Sequence, residues 1–182
     1  MEKQAIRLNQ PLRKERAKDE AWIKAFLTRV PLGMLATALD GQPFIKPTSF
    51  VYAEAEGAIY IHGALVGQMR TNLERNPRVS FCVAEMGRLL PADTAMDVGV
   101  EYASVVVLGK AELLTDAEQA RHALRLMLER YFSHRKYGVD YREIMPHELD
   151  ATAVYKITIE SWSGKEDHAR PDFPGAFSFQ AS

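Results

Sequence analysis

The stretch Ile59–Phe81, reading IYIHGALVGQMRTNLERNPRVSF, is where residue types and spacing offer chemistry. A run of strand-forming residues ends at His62-Gly63, a short loop ends at Gly67, and helical character begins at Gln68-Met69-Arg70. A helix start points its first-turn N–H groups at whatever lies above the loop, and its aligned dipoles favour an anion. An arginine fork close by matches two phosphate oxygens. Such a stretch is a competent phosphate site, and it is equally the solvated face of a helix carrying Arg70, Arg75 and Arg78. His62 ends its strand beside a glycine, where a side chain is presented at a rim. The plain alternative is a rim histidine satisfied by a backbone carbonyl.

Other chemistries lose support. His62, His122, His134, His147 and His168 include no i,i+4 pair and no carboxylate at a metal-ligand spacing, so no metal site is expected. The single cysteine, Cys82, excludes an intramolecular disulfide and multi-thiolate clusters, and reads as an inert core thiol in a reducing compartment. Dinucleotide-binding, P-loop, nucleophile-elbow and zinc-helix motifs are all missing. Lys and Arg number 23 against 24 Asp and Glu, a net charge of −1. That balance gives no global field for nucleic acid or an acidic membrane. No leader-like apolar segment opens the sequence and no apolar run approaches about 18 residues, so a cytoplasmic protein with neither a nucleic-acid nor a membrane partner is expected.

The elements that must position these residues follow from periodicity. Asp19 caps a helix whose Trp22, Ile23, Phe26, Leu27 and Val30 share one face, and Pro31 stops it. Gly33–Leu39 and Phe44–Tyr52 read as strands joined at Asp40-Gly41. Ala58–His62, Val79–Val83 and Tyr102–Leu114 read as further strands, the last with Gly109 as a bulge or bend. Thr115–Glu118 reads as a capping box opening a helix with Ala120, Leu124, Met127 or Leu128, and Tyr131 facing the core. Alternation from Ala153 to Glu160 marks a final strand. About six strands with hairpin-length links favour an antiparallel barrel with helices, mainly β in class, and 182 residues suffice for one such core. Residues 1–18 read as a charged arm, 19–165 as the domain, and 166–182 as a tail whose Phe173, Phe177 and Phe179 call for docking on the domain or a partner subunit.

The order of Leu35-Ala-Thr37, Gly41-Gln-Pro43, Pro47, Phe50-Val-Tyr52, the His62–Arg70 stretch, Tyr102–Ala111 and Ser163-Gly-Lys165 resembles the pyridoxamine 5′-phosphate oxidase-like superfamily. Within it, the nitroimidazole-resistance-like branch is the nearer likeness, over Ala21–Lys165. The resemblance implies a six-stranded antiparallel split β-barrel of the FMN-binding type. It also implies a homodimer with FMN in clefts between the subunits. It assigns the phosphate to Gly67, Gln68, Met69 and Arg70, although Gln68 and Met69 stand where two basic residues are common. Lys46 is therefore the candidate second cation. Pro47, Thr48, Ser49 and Phe50 match the segment along the flavin edge, and His62 with Gly63 matches the position near the ring. Trp162, placed just before a Ser-Gly-Lys turn, covers the cofactor across the interface or is simply packed; Glu101 and Tyr102 open the long strand and reach towards the cleft.

The implied activity is an oxidoreductase passing electrons from NAD(P)H through FMN to a small acceptor such as a nitro compound or quinone, with His62 as the catalytic residue. A non-enzymatic FMN-binding protein, a pyridoxamine 5′-phosphate oxidase, and a split barrel holding haem or a deazaflavin are the alternatives. The oxidase reading is weakened by a Phe-Pro-Gly-Ala-Phe-Ser-Phe C-terminal region in place of a basic one.

Overall fold

The computed structural model describes residues 9–180. Along the chain lie β1 (Ala17–Lys18), α1 (Glu20–Arg29), β2 (Gly33–Leu39), β3 (Gln42–Thr48), β4 (Val51–Ala53), β5 (Ala58–Gly63), α2 (Gln68–Arg75), β6 (Arg78–Leu90), β7 (Gly99–Leu113), α3 (Ala117–Tyr131), α4 (Pro146–Asp150), β8 (Ala153–Asp167) and β9 (Phe177–Ser178). Asp19 caps α1 by accepting the Trp22 N–H at 2.8 Å, as its place before the apolar stripe predicts. The β2–β3 turn carries Asp40 at φ 50° and Gly41 at φ 80°, both left-handed, which closes a two-residue hairpin from Leu39 to Gln42.

All strand pairs are antiparallel, and the sheet runs β3-β2-β6-β7-β8-β5-β4, with β1 on β8 and β9 on β6. Strands β3 and β4 are its two edges, yet only Ser49 and Phe50 separate them in the chain. Three Cα steps reach at most about 11 Å, so the sheet must roll until its edges nearly meet. The result is the split barrel that the resemblance implies. Its interior is filled by Leu35, Phe50, Ile59, Phe81, Val105, Tyr155 and their neighbours, with α1 adding Ile23, Phe26 and Leu27. Helix α3 covers the outside of β4, β5 and β8, setting Ala120, Ala123 and Met127 against Val51, Tyr60 and Val154.

Several expected boundaries move. The strand expected over Phe44–Tyr52 is broken at Ser49-Phe50, because the chain there passes from one sheet edge to the other. The strand expected to end at Val83 continues to Leu90 against β7. Ser163-Gly164-Lys165 is no turn: it lies within β8, Gly164 opposite Val105 on one side and Lys18 on the other. A β-carbon on Gly164 would fall 2.6 Å from Ile23, so the glycine here lets α1 approach the strand. The cap of α3 is Asp116, which accepts the Gln119 N–H at 2.9 Å, and not Thr115. Cys82 is half-buried on the outer face between Met34 and Val106 rather than in the core, and burial raises its thiol pKa.

Of the expected arm, residues 1–8 lie outside the described residues. Asn9 donates to the Val106 carbonyl at 3.1 Å and accepts from Ser163 Oγ at 2.7 Å, while Arg16 pairs with Asp167 at 2.7 Å. At the other terminus Glu101, 2% exposed, is held by Arg88 and by the backbone N–H groups of Arg88 and Ala169. These bonds, led by the guanidinium, lower its pKa to about 2. Glu101 therefore anchors a tail segment and does not reach a cleft. Arg88 also donates to the Pro171, Ala169 and Arg170 carbonyls, strapping that segment to the β6–β7 hairpin.

Gly109 interrupts the β7–β8 register, where Leu108 faces Ser161 and Gly109 faces Ile159. A β-carbon there would fall 2.2 Å from the Thr158 carbonyl oxygen, a backbone atom that cannot swing aside. Gly109→Ala is expected to destabilise the fold by about 1–3 kcal/mol, as overpacking does. Urea unfolding followed by circular dichroism checks this, and an unchanged midpoint would show that the bulge is free to relax.

Candidate functional site

Alternation on β3 turns Phe44, Lys46 and Thr48 to the inside of the sheet and leaves Ile45, 63% exposed, on the outside. Lys46 lies at the open end of the barrel. Its Nζ stands 3.0 Å from where a Gly63 β-carbon would be, and Met69 Cε stands 2.9 Å from the same point. Any side chain at position 63 would therefore press on both. Lys46 has no carboxylate partner within 4.0 Å among the described residues.

Gly67 precedes α2 at φ 120°, ψ 174°, a conformation open to glycine, and no side chain caps the helix. The first-turn N–H groups are thus available beside Gly63 and Lys46. Gln68 is exposed and Met69 is buried in the core, so Met69 offers the site its backbone only. Arg70 is engaged elsewhere: its Nε donates to Glu74 one turn on at 2.5 Å, a bond that raises its pKa. It also stands near the hydroxyl of Tyr155, whose pKa burial raises and Arg70 lowers. That hydroxyl belongs to a residue 1% exposed and has no hydrogen-bond partner of normal geometry. An uncapped helix start and a lysine without a carboxylate suit an anionic group of the phosphate kind.

His62 alternates with Ile61 and so faces outward, beneath α3. It opens onto a cavity of about 410 Å³. Ser49, His62 and Thr152 supply polar groups, and Leu124, Leu128, Tyr131, Phe132 and Ile144 form apolar walls. Desolvation, and secondly the Lys46 charge, pull the imidazole pKa below its usual value. Both effects favour the neutral ring, which carries one N–H donor and one acceptor nitrogen.

The link that carries Ser49 is held from α3. Tyr131 Oη accepts the Phe50 N–H at 2.9 Å and reaches the Pro31 carbonyl at 2.6 Å. Arg130 donates to the Leu27 and Val30 carbonyls, its guanidinium 4.5 Å from the centre of the Phe50 ring. The stripe Ala120, Leu124, Met127, Leu128 and Tyr131 serves both sides: Ala120, Leu124 and Met127 pack against the barrel, and Leu124, Met127, Leu128 and Tyr131 line the cavity. Helical periodicity marks the stripe, but Phe132, Ile144 and Thr152 carry no such signal.

Trp162 is not brought to this group. It packs half-buried on the core with its ring 6.1 Å from that of Tyr52, eight residues along β8 from Val154, the partner of His62. Eight strand residues span about 26 Å. Pro47 is exposed on the outer face, Thr48 and Phe50 are buried, and Tyr102 meets Arg16. Among the described residues no three His, Cys, Asp or Glu side chains gather as metal ligands. No helix among them is long and apolar enough to cross a membrane.

The sequence model of a family described as pyridoxamine 5′-phosphate oxidase matches residues 19–166. No functionally curated protein matches the chain. Among solved structures it is similar to the flavocytochrome Anf3 from Azotobacter vinelandii, at 25% identity and a TM-score of 0.77 over 95% of this chain and 85% of that one. It is similar to a FAD and haem binding protein from Mycobacterium smegmatis, at 22% identity and TM-score 0.76 over 86% of this chain and 76% of that one. A candidate 5-nitroimidazole antibiotic resistance protein from Bacteroides thetaiotaomicron has 20% identity and TM-score 0.68 over 82% of this chain and 84% of that one.

The neighbouring ammonium predicts a measurable effect. In Lys46→Gln the imidazole of His62 loses a repelling charge, so its pKa should rise towards the unperturbed value of about 6.5. Imidazole NMR titration reads this directly, and an unchanged pKa would show that burial alone sets it.

Proposed function

The chain belongs to the pyridoxamine 5′-phosphate oxidase family, and from that premise we propose that it is a flavin-dependent oxidoreductase passing electrons from NAD(P)H to a small acceptor. One observation carries the reading: Lys46, Gly63, the uncapped start of α2 and His62 meet at one end of the barrel. In this reading Lys46 and the first-turn amides of Gln68 and Met69 bind the cofactor phosphate. Arg70 stays with Glu74. The segment Pro47–Phe50 lies along the ring, and Trp162 belongs to the partner's side of the site. One lysine without a carboxylate partner among the described residues and one helix start suit a single phosphate, which favours FMN, although two of the similar structures are named for FAD or for a flavocytochrome.

Flavin, when bound, supplies the transfer of electrons between donor and acceptor. The chain's own residues bind, orient and shield. Lys46 and the α2 amides fix the anionic end, and the Tyr131-held link keeps Ser49 beside His62. The neutral His62 presents an N–H to an acceptor oxygen. Oxidation of a pyridoxamine phosphate is the poorer reading, because no Lys or Arg lines the cavity to hold a substrate phosphate. A homodimer is part of the proposal, supported by the exposed Met34 and Ile45 on the outer face of β2 and β3.

The absorbance of the purified protein tests the reading. Flavin bands are expected, with FMN identified by mass after extraction and bleaching by NADH or NADPH reversed by a nitro compound. A colourless protein that takes up no flavin, or one with only a Soret band, would overturn it. Lys46→Ala should weaken flavin binding about 10- to 100-fold, the worth of a hydrogen bond to a charged group. His62→Ala should lower turnover about 100-fold while flavin remains bound; undiminished turnover would remove His62 from catalysis.

A further inference from the structure

The cavity beneath α3 has a composition that selects its ligand. Its volume, about 410 Å³, is in the range of small-molecule sites. Its one ionisable acid is already satisfied: Glu148 accepts two bonds from Arg142, at 2.8 and 3.1 Å, and one from the Met145 N–H at 2.8 Å. These contacts lower the Glu148 pKa, so it stays a paired carboxylate. A cationic ligand finds no free partner there, and an anionic one finds no lysine or arginine in the lining. The remaining polar groups, Ser49, His62 and Thr152, can all donate a hydrogen bond, and the walls include the rings of Tyr131 and Phe132. A donor-bearing, aromatic-walled cavity whose one carboxylate is already paired suits a neutral planar ring with a conjugated acceptor oxygen.

We infer that this cavity is the acceptor subsite, and that it takes a neutral ring compound of the quinone type with one carbonyl oxygen towards His62. The inference rests on the flavin reading for its redox role, but not for binding. His62 and Ser49 are common to both halves: His62 neighbours Gly63 and Lys46, Ser49 belongs to the segment assigned to the ring, and both line the cavity. Reduction of the bound quinone to the hydroquinone takes two electrons and two protons. NAD(P)H, becoming NAD(P)+, gives both electrons and one proton, and water gives the other.

Calorimetric titration of the full-length protein with 2,3-dimethyl-1,4-naphthoquinone, which cannot add to a thiol at its blocked ring positions, tests the site. One molecule per chain is expected. Leu128→Trp on α3 and Ile144→Trp on the facing loop each fill the cavity from a different element. Either variant, once circular dichroism shows it folded, should weaken binding about tenfold or more. Naphthalene, the same ring system without carbonyls, should bind more weakly than the quinone. Absence of quinone binding, binding undiminished in a folded filled variant, or occupation of the cavity by a haem that the quinone cannot displace would overturn the inference. The absorbance spectrum judges the flavin reading separately: a flavin-loaded protein that ignores the quinone sinks only the subsite, and a flavin-free protein that binds it sinks only the redox role.

Discussion

Ser49 and Phe50 join the two edges of one sheet, and that two-residue link is the constraint from which the rest of the structure follows. A sheet whose edge strands are tethered so closely cannot stay open, and its inner face becomes a sealed core. The link cannot pair with a neighbouring strand along its length, so its backbone needs other partners. Tyr131 provides them at the end of α3, binding Phe50 and Pro31 through one hydroxyl. Phe50, with no exposed surface, fills the core beneath, and Arg130 lies over its ring. The same interaction therefore closes the barrel, seats α3 on the outside and places Ser49 at the mouth of the cavity.

Charge is distributed with similar economy. Arg70 with Glu74, Arg142 with Glu148 and Arg88 with Glu101 each neutralise a group near a structural junction. Lys46, like Arg75 and Arg78, has no carboxylate partner among the described residues, and what sets it apart is its place beside Gly63 near a helix start that adds partial positive charge. An almost neutral protein can thus hold a local anion site, since the field that matters extends over a few ångströms and not over the whole surface. Under α3 the opposite holds. Pairing of Glu148 and the lowered pKa of His62 leave a cavity whose polarity comes from hydrogen-bond donors and not from net charge.

Much of this was legible in the sequence. The α1 stripe after Asp19, the Asp40-Gly41 hairpin, the helix start after Gly67 and the alternation around Ile157 are local signals, and local backbone physics obeys them. Longer features were blurred. Phe44–Tyr52 has continuous strand chemistry, and nothing in the residues themselves says that Ser49 must leave one edge and Phe50 enter another. Ser163-Gly-Lys165 has turn composition, yet pairing on both sides keeps it extended and the glycine serves the approach of Ile23.

The sequence by itself determined the element types, the mainly β class, and a likeness whose motif order located Lys46, His62, Gly63 and the start of α2. It did so because periodicity, capping and turn chemistry act over a few residues. Only the tertiary structure decided that Lys46 lies beside Gly63, that Arg70 turns to Glu74, that Trp162 stands far along β8, and that residues from α3 and the following loop wall a cavity over His62. Those outcomes depend on which groups share space after the sheet has rolled. Side chains distant in sequence compete for the same partners there, and no local pattern records the winner.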